Sequence, residues 1–302
     1  MRMPMALISV LVLSCAACGQ SPRADAALQI GENALKYTRA QVEFGPRPPG
    51  SEALQKCREY LRQELRRFGY TVEEDAFDAN TPYGTKRMVN LVAHKGSGGK
   101  GVIALASHYD TKLMEGKRFV GANDGGSSTG LLLALANELA GSRDGLDYWF
   151  LFLDGEEAFI EWSSFDSTYG SRHLASRWRE EGTARKIKAL ILLDMVGDKN
   201  LDIIKDHRST PWLSDLIWDT AAKSGLGGIL ASRLVDIEDD HIPFLDAGIP
   251  CVDLIDLNYG PDNSFWHTEA DTLDKICAES LDKVGRLVLA VLPALQKRLG
   301  GR

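Results

Sequence analysis

Hydrophobic residues in this sequence follow two patterns that alternate along most of the chain. Short unbroken apolar runs, such as residues 101–107 and 148–153, are typical of strands that are buried on both faces. Longer stretches in which apolar residues recur every three or four positions are typical of helices that bury one side. The patterns predict strands at 70–77, 87–93, 101–107, 148–153, 189–193 and 251–255, and helices at 27–42, 52–68, 128–140, 169–179, 209–223 and 280–299.

Strands that alternate with helices predict a mainly parallel sheet with helices on both faces. We therefore expect an α/β fold, in the form of a single-domain three-layer α/β/α sandwich with a mixed, mostly parallel central sheet. The stretch from residue 27 to residue 302 contains no linker, repeat or low-complexity segment that would divide it. One domain over residues 27–302 is therefore the expected organisation.

The N-terminal end has a composition that differs from the rest of the chain. Arg2 precedes a short apolar run at residues 6–13, which is too short to cross a bilayer. This arrangement is typical of a secretory signal, and we assign residues 1–17 to a signal peptide of the lipoprotein type. We therefore expect an exported protein, located in the periplasm or at the cell surface.

The segment "SCAACGQS" follows the apolar run and resembles a bacterial lipoprotein cleavage site. Cleavage there would make Cys18 the lipid-modified first residue of the mature chain, with residues 18–26 as a tether. Cys15 is an alternative site of lipidation, and cleavage near Ala26 without lipidation is a second alternative. The first interpretation predicts that the protein contacts the membrane only through a lipid anchor at Cys18.

Charge and cysteine number narrow the range of functions. The formal net charge is −7 and the lysines and arginines form no cluster, which argues against a nucleic-acid partner. If Cys18 carries a lipid, the body retains Cys57, Cys251 and Cys277, whose spacing matches no zinc or redox motif. We expect these three to be buried thiols. Since nothing in the sequence demands an oligomer, we expect a monomer.

Acidic and histidine side chains follow several of the predicted strands. In sheets of this kind, ligands bind beyond the carboxyl ends of the parallel strands, so these side chains should meet at one edge. Each alone has an ordinary structural explanation, but carboxylates crowded in a cleft repel one another unless a cation neutralises them. The residues concerned are His108, Asp110, Asp124, Glu156, Glu157, Asp194 and His267.

Zinc is a cation that suits a mixture of imidazole and carboxylate ligands. A catalytic zinc has three protein ligands and one open position, and Asp124, Glu157 and His267 would supply that set. Glu156 would then lie beside the metal without binding it, because successive side chains point in different directions. A carboxylate in such a position can move protons. The sequence thus predicts one Zn²⁺ ion and a proton shuttle at Glu156.

Six motifs occur in order along the chain, namely "SHYDTK", "FVGANDGGSSTG", "DGEEAFIEWSSFDSTYGSRHLA", "LILLDMVGD", "DDHIPFLDAGIP" and "FWHTEADT". Together they resemble the animal-type glutaminyl cyclases, a family within the zinc-dependent aminopeptidase-like superfamily. The segment at residues 154–175 is the most specific of the six. The resemblance covers about residues 27–299 and implies that residues 27–302 form a zinc-dependent catalytic domain.

The resemblance also implies a reaction and residue roles. The family converts the N-terminal glutamine of peptides or proteins to pyroglutamate and releases ammonia, so peptides with N-terminal glutamine are the expected partners. The implied zinc ligands are the three already named, and Glu156 is the implied general base and acid. Asp194 and Asp239 would belong to a hydrogen-bond network around the reacting amide, and Trp162 and Trp266 would be walls of the substrate pocket.

Other features are similar to metal aminopeptidases, which release N-terminal residues. His108 and Asp194, together with the three zinc ligands, also make up the ligand set of the two-zinc aminopeptidases, in which Asp124 would bridge. The segment "NDGGSSTG" is closer to the aminopeptidase pattern than to the cyclase pattern. Asp253 occupies a position where animal cyclases tend to have histidine, and the loop at 256–264 is longer than theirs. A two-zinc aminopeptidase is therefore the alternative expectation.

Overall fold

A computed structural model of the protein describes residues 28–96, 100–142 and 145–300. The predicted signal peptide, the tether, Cys15 and Cys18 lie outside these residues. In the described part, a single eight-stranded sheet forms the centre of the fold. Among the residues described, no helix has the length and apolar character that crossing a bilayer requires.

The sheet combines parallel and antiparallel neighbours. Its strands are β1 (Thr71–Thr81), β2 (Gly84–His94), β3 (Val102–His108), β4 (Asp147–Leu153), β5 (Ile187–Asp194), β6 (Ile203–Asp206), β7 (Leu230–Val235) and β8 (Cys251–Ile255). Their spatial order is β1-β2-β4-β3-β5-β8-β6-β7, and the four central strands β4, β3, β5 and β8 are parallel. Antiparallel pairing occurs between β1 and β2, between β2 and β4, and between β6 and β8.

Helices cover both faces of this sheet. Within the described ranges they are α1 (Gln29–Glu43), α2 (Glu52–Arg67), α3 (Gly126–Glu138), α4 (Tyr169–Glu181), α5 (Pro211–Lys223), α6 (His241–Asp246) and α7 (Ala278–Leu299). Helices α1, α2, α3, α5 and α7 pack into one hydrophobic cluster on one face, whereas α4 and α6 pack into a second cluster on the other. The result is the three-layer arrangement that the sequence predicted.

Alternate residues of the central strands point to opposite faces of the sheet. Along β3, Ile103 and Leu105 belong to the cluster of the five-helix face, and Ala104 and Ala106 belong to the cluster of the α4 and α6 face. All four side chains are fully buried. Burial on both faces explains why this strand has a continuous apolar sequence instead of an alternating one.

Helix α3 lies between the sheet and α1, and its N-terminal end is held firmly. Every residue from Gly126 to Ala136 is buried. Helix α1 approaches α3 closely at Gly130, where a Cβ atom would lie only 2.2 Å from Thr38 Oγ1. The Thr38 hydroxyl in turn donates a hydrogen bond to Gly126 O at 3.1 Å. This packing fixes the loop that immediately precedes α3, which carries Asp124.

The predicted fold class is confirmed, and each predicted strand and helix corresponds to an observed element whose ends differ by a few residues. The sequence analysis missed β6, β7 and α6. It also predicted three buried cysteines, which is right for Cys57 and Cys251 but wrong for Cys277, whose side chain is partly exposed. Cys277 lies at the N-terminal end of α7, where the chain enters the helix from a loop.

Candidate active site

Three adjacent parallel strands bring acidic and imidazole side chains to one edge of the sheet. His108 is the last residue of β3, and Asp194 is the last residue of its neighbour β5. Glu156 and Glu157 follow β4, which pairs with β3 on the other side. Because these strands are parallel, their carboxyl ends lie side by side, and the loops that follow them surround a common space.

A cavity of about 510 Å³ occupies this space. Eight of the residues predicted from the sequence line it, namely Asp124, Glu156, Glu157, Trp162, Asp194, Asp239, Trp266 and His267. They come from five separate segments, among them the loop before α3, the turn before α6 and the loop after β8. His108 is not part of the cavity wall, because its side chain lies behind Asp124 and Asp194 and is 1% exposed.

Asp124, Glu157 and His267 form a compact group of possible metal ligands. His267 Nε2 lies 3.3 Å from Asp124 Oδ2 and 3.3 Å from Glu157 Oε2. Asp124 Oδ2 and both carboxylate oxygens of Glu157 are buried without a hydrogen-bond partner among the described residues. Buried carboxylate oxygens without donors are costly, so a bound cation fits this group. One imidazole and two carboxylates are a donor set that suits zinc.

A second group of possible ligands shares Asp124 with the first. His108 Nε2 lies 3.4 Å from Asp124 Oδ1 and 3.2 Å from Asp194 Oδ1. Asp124 therefore directs Oδ1 toward one group and Oδ2 toward the other. A carboxylate arranged in this way could offer one oxygen to each of two metal ions. The site offers ligand atoms for a second ion as well as for a first.

Opposite charges control ionisation in both groups. Burial by itself lowers the pKa of His267, but the carboxylates of Glu157 and Asp124 outweigh burial and raise this pKa to about 10. Burial is likewise outweighed at His108, where hydrogen bonds to carboxylates, first that of Asp110, raise the pKa. Burial raises the pKa of Asp124, but the two imidazoles outweigh it and lower this pKa. Without a metal ion, the neighbouring carboxylates therefore favour the protonated form of both histidines.

Glu156 lines the cavity but belongs to neither ligand group. It is 7% exposed, and its Oε2 lies 4.0 Å from His108 Nδ1. Burial, followed by the charges of Glu157 and Asp239, raises the pKa of Glu156 well above its usual range. A carboxyl group with a raised pKa beside possible metal ligands is suited to take up and return a proton.

Asp110 fixes the backbone of both glutamates. Its Oδ1 accepts the N–H of Glu156 at 3.2 Å, and its Oδ2 accepts the N–H of Glu157 at 3.4 Å. Asp110 Oδ1 also lies 3.4 Å from His108 Nδ1, and the side chain is fully buried. The sequence analysis expected Asp110 at this edge but gave it no role. Its position two residues after His108 in "SHYD" is the signal that could have indicated one.

Asp239 and Asp253 occupy different positions relative to the cavity. Asp239 lines it, and burial followed by the charge of Asp194 raises the pKa of Asp239. Asp253 lies within β8, is fully buried, and has two carboxylate oxygens without a hydrogen-bond partner among the described residues. Burial followed by the charge of Asp239 raises the pKa of Asp253 well above its usual range. Asp253 is therefore buried and does not line the cavity.

The mouth of the cavity is aromatic. Trp162 and Trp266 are 37% and 39% exposed, so each has one face toward solvent and can pack against a ligand with the rest of the ring. Trp266 stacks on the His267 ring, with the ring centroids 4.1 Å apart. Lys112 also lines the cavity, 3.6 Å from Glu157 Oε2, and the sequence analysis did not single it out. Its place in "SHYDTK" was the available signal.

Several known proteins are similar to this chain in sequence and fold. Residues 90–292 match Peptidase family M28. A glutaminyl-peptide cyclotransferase from Drosophila melanogaster is 33% identical over 282 residues, covering 85% of this chain and 78% of that protein. A crystal structure of an Acidobacteriales bacterium glutaminyl cyclase is 39% identical and covers 95% of this chain and 100% of its own, with a TM-score of 0.85. A leucine aminopeptidase precursor from Bacteroides thetaiotaomicron is 29% identical and covers 86% of this chain and 96% of its own, with a TM-score of 0.76.

These similarities include the whole candidate site. The stretch that matches the M28 family begins before His108 and ends after His267, so it contains all of the residues discussed above. The similarity to the Drosophila protein covers 85% of this chain. The chain belongs to Peptidase family M28 and, within that family, is an enzyme of the glutaminyl-peptide cyclotransferase group.

Proposed function

We propose that this enzyme converts the N-terminal glutamine of peptides or proteins to pyroglutamate and releases ammonia. The observation that carries the proposal is a single cavity in which Glu156, with a raised pKa, adjoins a group of possible metal ligands and two tryptophans. The names of the relatives support the choice of reaction. Such a reaction needs an activated amide carbonyl, a proton carrier and limited access for water.

Asp124, Glu157 and His267 would hold one Zn²⁺ ion. When bound, zinc polarises the side-chain amide carbonyl of the substrate glutamine and stabilises negative charge on its oxygen. The buried oxygens of Asp124 and Glu157 that have no hydrogen-bond partner among the described residues support this assignment. Lys112, 3.6 Å from Glu157 Oε2, would favour the ionised form of that carboxylate.

Glu156 would move the proton during ring closure. The α-amine nitrogen of the glutamine attacks its own side-chain carbonyl carbon, and a new carbon–nitrogen bond closes a five-membered lactam. Glu156 takes a proton from the attacking amine and returns it to the departing nitrogen, whose bond to carbon breaks as ammonia leaves. The hydrogen bond from the Glu156 amide to Asp110 would keep the carboxyl group directed at the substrate.

The remaining cavity residues would orient the substrate and limit hydrolysis. Asp194 and Asp239 would form hydrogen bonds around the reacting amide, since both line the cavity beside Glu156. Trp162 and Trp266 would flank the glutamine at the mouth. The nucleophile belongs to the substrate, so no water molecule is needed, and apolar walls that displace water would suppress hydrolysis of the amide.

A metal aminopeptidase with two zinc ions is the second candidate function. The observation that favours it is the second ligand group, in which His108 and Asp194 face Asp124 Oδ1. The likeness to the leucine aminopeptidase precursor from Bacteroides thetaiotaomicron agrees with this alternative. In that case water would be the nucleophile, and free N-terminal residues would be released.

Two peptides distinguish the two functions. Zinc-loaded protein is incubated with one peptide that begins Gln-Leu and another that begins Leu-Leu, and both are followed by mass spectrometry. Loss of ammonia from the first peptide, with the second unchanged, is the result expected of a cyclase. Shortening of either peptide by its first residue would refute the cyclase proposal and support the aminopeptidase.

Glu156→Gln tests the proton carrier in the same assay. It should abolish ammonia release while zinc remains bound, because the carboxyl group is lost and the metal ligands are not. Glu161→Gln is the matched control, since Glu161 lines the same cavity but is exposed at its mouth. Rates close to those of the wild type in Glu156→Gln would show that another group carries the proton.

For the ends of the chain we propose a lipoprotein signal peptide at residues 1–17, a tether at 18–26 and a catalytic domain at 27–302. An exported monomer, in the periplasm or at the cell surface, would be anchored through Cys18. Cys18→Ser should move the protein from the membrane fraction to the soluble fraction, whereas Cys15→Ser should not. If only Cys15→Ser releases the protein, Cys15 is the lipidated residue.

A further inference from the structure

Asp271 joins the loop that carries His267 to the segment that carries Asp124. Asp271 Oδ1 accepts the backbone N–H of Asn123 at 2.7 Å, and Oδ2 accepts the backbone N–H of Asp124 at 3.0 Å. The side chain is fully buried. Because Asp271 follows His267 by four residues in the same loop, one carboxylate connects the backbones of two of the three proposed zinc ligands.

Tyr259, in the loop at 256–264, supplies a further bond to Asp271. Its hydroxyl donates to Asp271 Oδ1 at 2.7 Å, and the whole side chain is buried. Phe265 packs edge-on against the Tyr259 ring, with centroids 5.5 Å apart. Gly260 has a φ of 78°, and a Cβ atom there would lie 2.4 Å from the Phe265 ring. The loop is thus folded closely around this tyrosine.

We propose that Tyr259 and Asp271 are positioning residues, which hold Asp124 and His267 in the arrangement that a metal ion requires. The inference rests on the proposed function, because it takes these side chains as zinc ligands. It gives the loop at 256–264 a role in metal affinity in addition to its place beside the cavity.

Hydrogen bonding explains how a hydroxyl outside the cavity would act on the ligands. Asp271 uses both oxygens on backbone amides, and Tyr259 restricts rotation of the carboxylate by binding Oδ1 from a third direction. Without the hydroxyl, the carboxylate could turn and the backbone at Asp124 would move relative to His267. Zinc–oxygen and zinc–nitrogen bonds tolerate little change from about 2.0–2.2 Å. Groups that orient metal ligands typically alter affinity or activity by about 10–100-fold.

Tyr259→Phe removes this hydroxyl and keeps the ring. The matched control is Tyr70→Phe, because Tyr70 is also buried, also packs edge-on against a phenylalanine, and donates its hydroxyl to Ala136 O at 2.8 Å away from the cavity. Zinc dissociation constants are measured for the full protein by competition with a chromophoric chelator. The visible absorption of the Co²⁺-substituted protein reports ligand geometry independently of activity.

We expect Tyr259→Phe to raise the zinc dissociation constant by about tenfold and to change the Co²⁺ spectrum. Tyr70→Phe should leave both unchanged, although each variant loses one buried hydrogen bond and should melt at a lower temperature. Equal zinc affinities for wild type, Tyr259→Phe and Tyr70→Phe would overturn the inference. A wild type that binds zinc normally but does not cyclise the Gln-Leu peptide would refute the proposed function and leave the affinity comparison valid.

Asp271→Asn provides a second test that does not depend on the fate of Tyr259→Phe. Asparagine has nearly the same shape as aspartate. It places an NH₂ group opposite one of the two backbone N–H donors, so one hydrogen bond from a backbone amide is lost. The expected rise in the zinc dissociation constant is larger, within the range of about 10–100-fold. An unchanged zinc affinity in folded Asp271→Asn would overturn the inference as well.

Discussion

Replacing Asp110 with asparagine tests whether the position of the two glutamates is as important as their chemistry. The carboxylate of Asp110 accepts backbone N–H groups from Glu156 at 3.2 Å and Glu157 at 3.4 Å. Asparagine retains one acceptor oxygen, but its NH₂ group faces the second N–H. One charged hydrogen bond becomes neutral and the other becomes a contact between two donors, even though the shape of the side chain is unchanged.

The expected loss can be worked out from those two bonds. A hydrogen bond to a charged group contributes about 1.5–3 kcal/mol and a neutral one about 0.5–1.5 kcal/mol, so the change should cost about 2–4 kcal/mol of unfolding free energy. For a chain of this size that corresponds to a fall in Tm of about 3–6 °C, which leaves the protein folded at room temperature. Activity should fall by about 10–100-fold, because the backbone that carries Glu156 and Glu157 is free to shift.

Asp206→Asn separates lost stability from lost positioning. Asp206 Oδ1 also accepts two backbone N–H groups, those of Arg208 and Ile237, each at 3.0 Å, but it touches neither glutamate. Thermal unfolding and the kcat/KM for a Gln-Leu peptide are measured for both variants. Asp110→Asn should lose activity and stability, whereas Asp206→Asn should lose mainly stability. If Asp110→Asn keeps kcat/KM within about twofold of Asp206→Asn, the positioning argument is wrong.

Three further outcomes follow from the site. Trp162→Ala should raise KM for glutamine peptides by about tenfold with little change in kcat, whereas Trp266→Ala should change both, because Trp266 also stacks on His267. Gly125→Ala should lower Tm in thermal unfolding, since Gly125 has a φ of 75° and a Cβ there would lie 2.9 Å from His108 Cε1. Zinc binding should release protons at pH 7, because the raised pKa of His267, about 10, keeps its imidazole protonated until the metal displaces the proton. Zinc affinity should therefore fall as the pH falls, by up to about tenfold per pH unit for each proton displaced. Calorimetry in two buffers of different ionisation enthalpy can verify the release of protons.

The sequence was sufficient to predict the centre of the fold and the edge where the site lies. Strands β3, β4 and β5 are buried on both faces, so their apolar runs are long and unmistakable. Each run ends abruptly at polar residues, among them His108, Glu156 and Asp194. In a parallel sheet these ends must lie on one side, which is why these side chains could be predicted to lie close together before any contact was known.

The segment between β5 and β8 has much weaker hydrophobic patterns, so its strands and helix were harder to predict from the sequence. Strand β6 has four residues, and helix α6 has six and contains Pro243, so neither is long enough to show a periodic pattern. Strand β7 lies at the edge of the sheet and is largely exposed, so it lacks an apolar run. Asp239 lies in this segment, and only the family resemblance indicated it.

Residues that act through backbone amides were missed for a different reason. Asp110 and Asp271 contact parts of the chain distant in sequence, and the groups they bind are N–H groups that every residue except proline possesses. Tyr259 donates its hydroxyl to the carboxylate of Asp271. No residue type or spacing marks such partners. Their roles depend on the tertiary structure, whereas a cluster of metal ligands can be recognised from the ligands themselves.

The buried acids around the cavity fall into two classes according to what their oxygens contact. Asp110 and Asp271 use their oxygens on backbone N–H groups, and so does Asp166, whose pKa is lowered by the amides of the loop at the cavity mouth despite the opposing effect of burial. Glu157 has two buried oxygens without a hydrogen-bond partner among the described residues, and Asp124 has one. A carboxylate satisfied by amides needs no ligand, whereas one left without donors is stable only beside a cation or with a proton. This distinction supports the proposal that Asp124 and Glu157 are metal ligands. Hydrogen bonds to backbone N–H groups also help to explain how many acids can share one edge of the sheet without preventing the chain from folding.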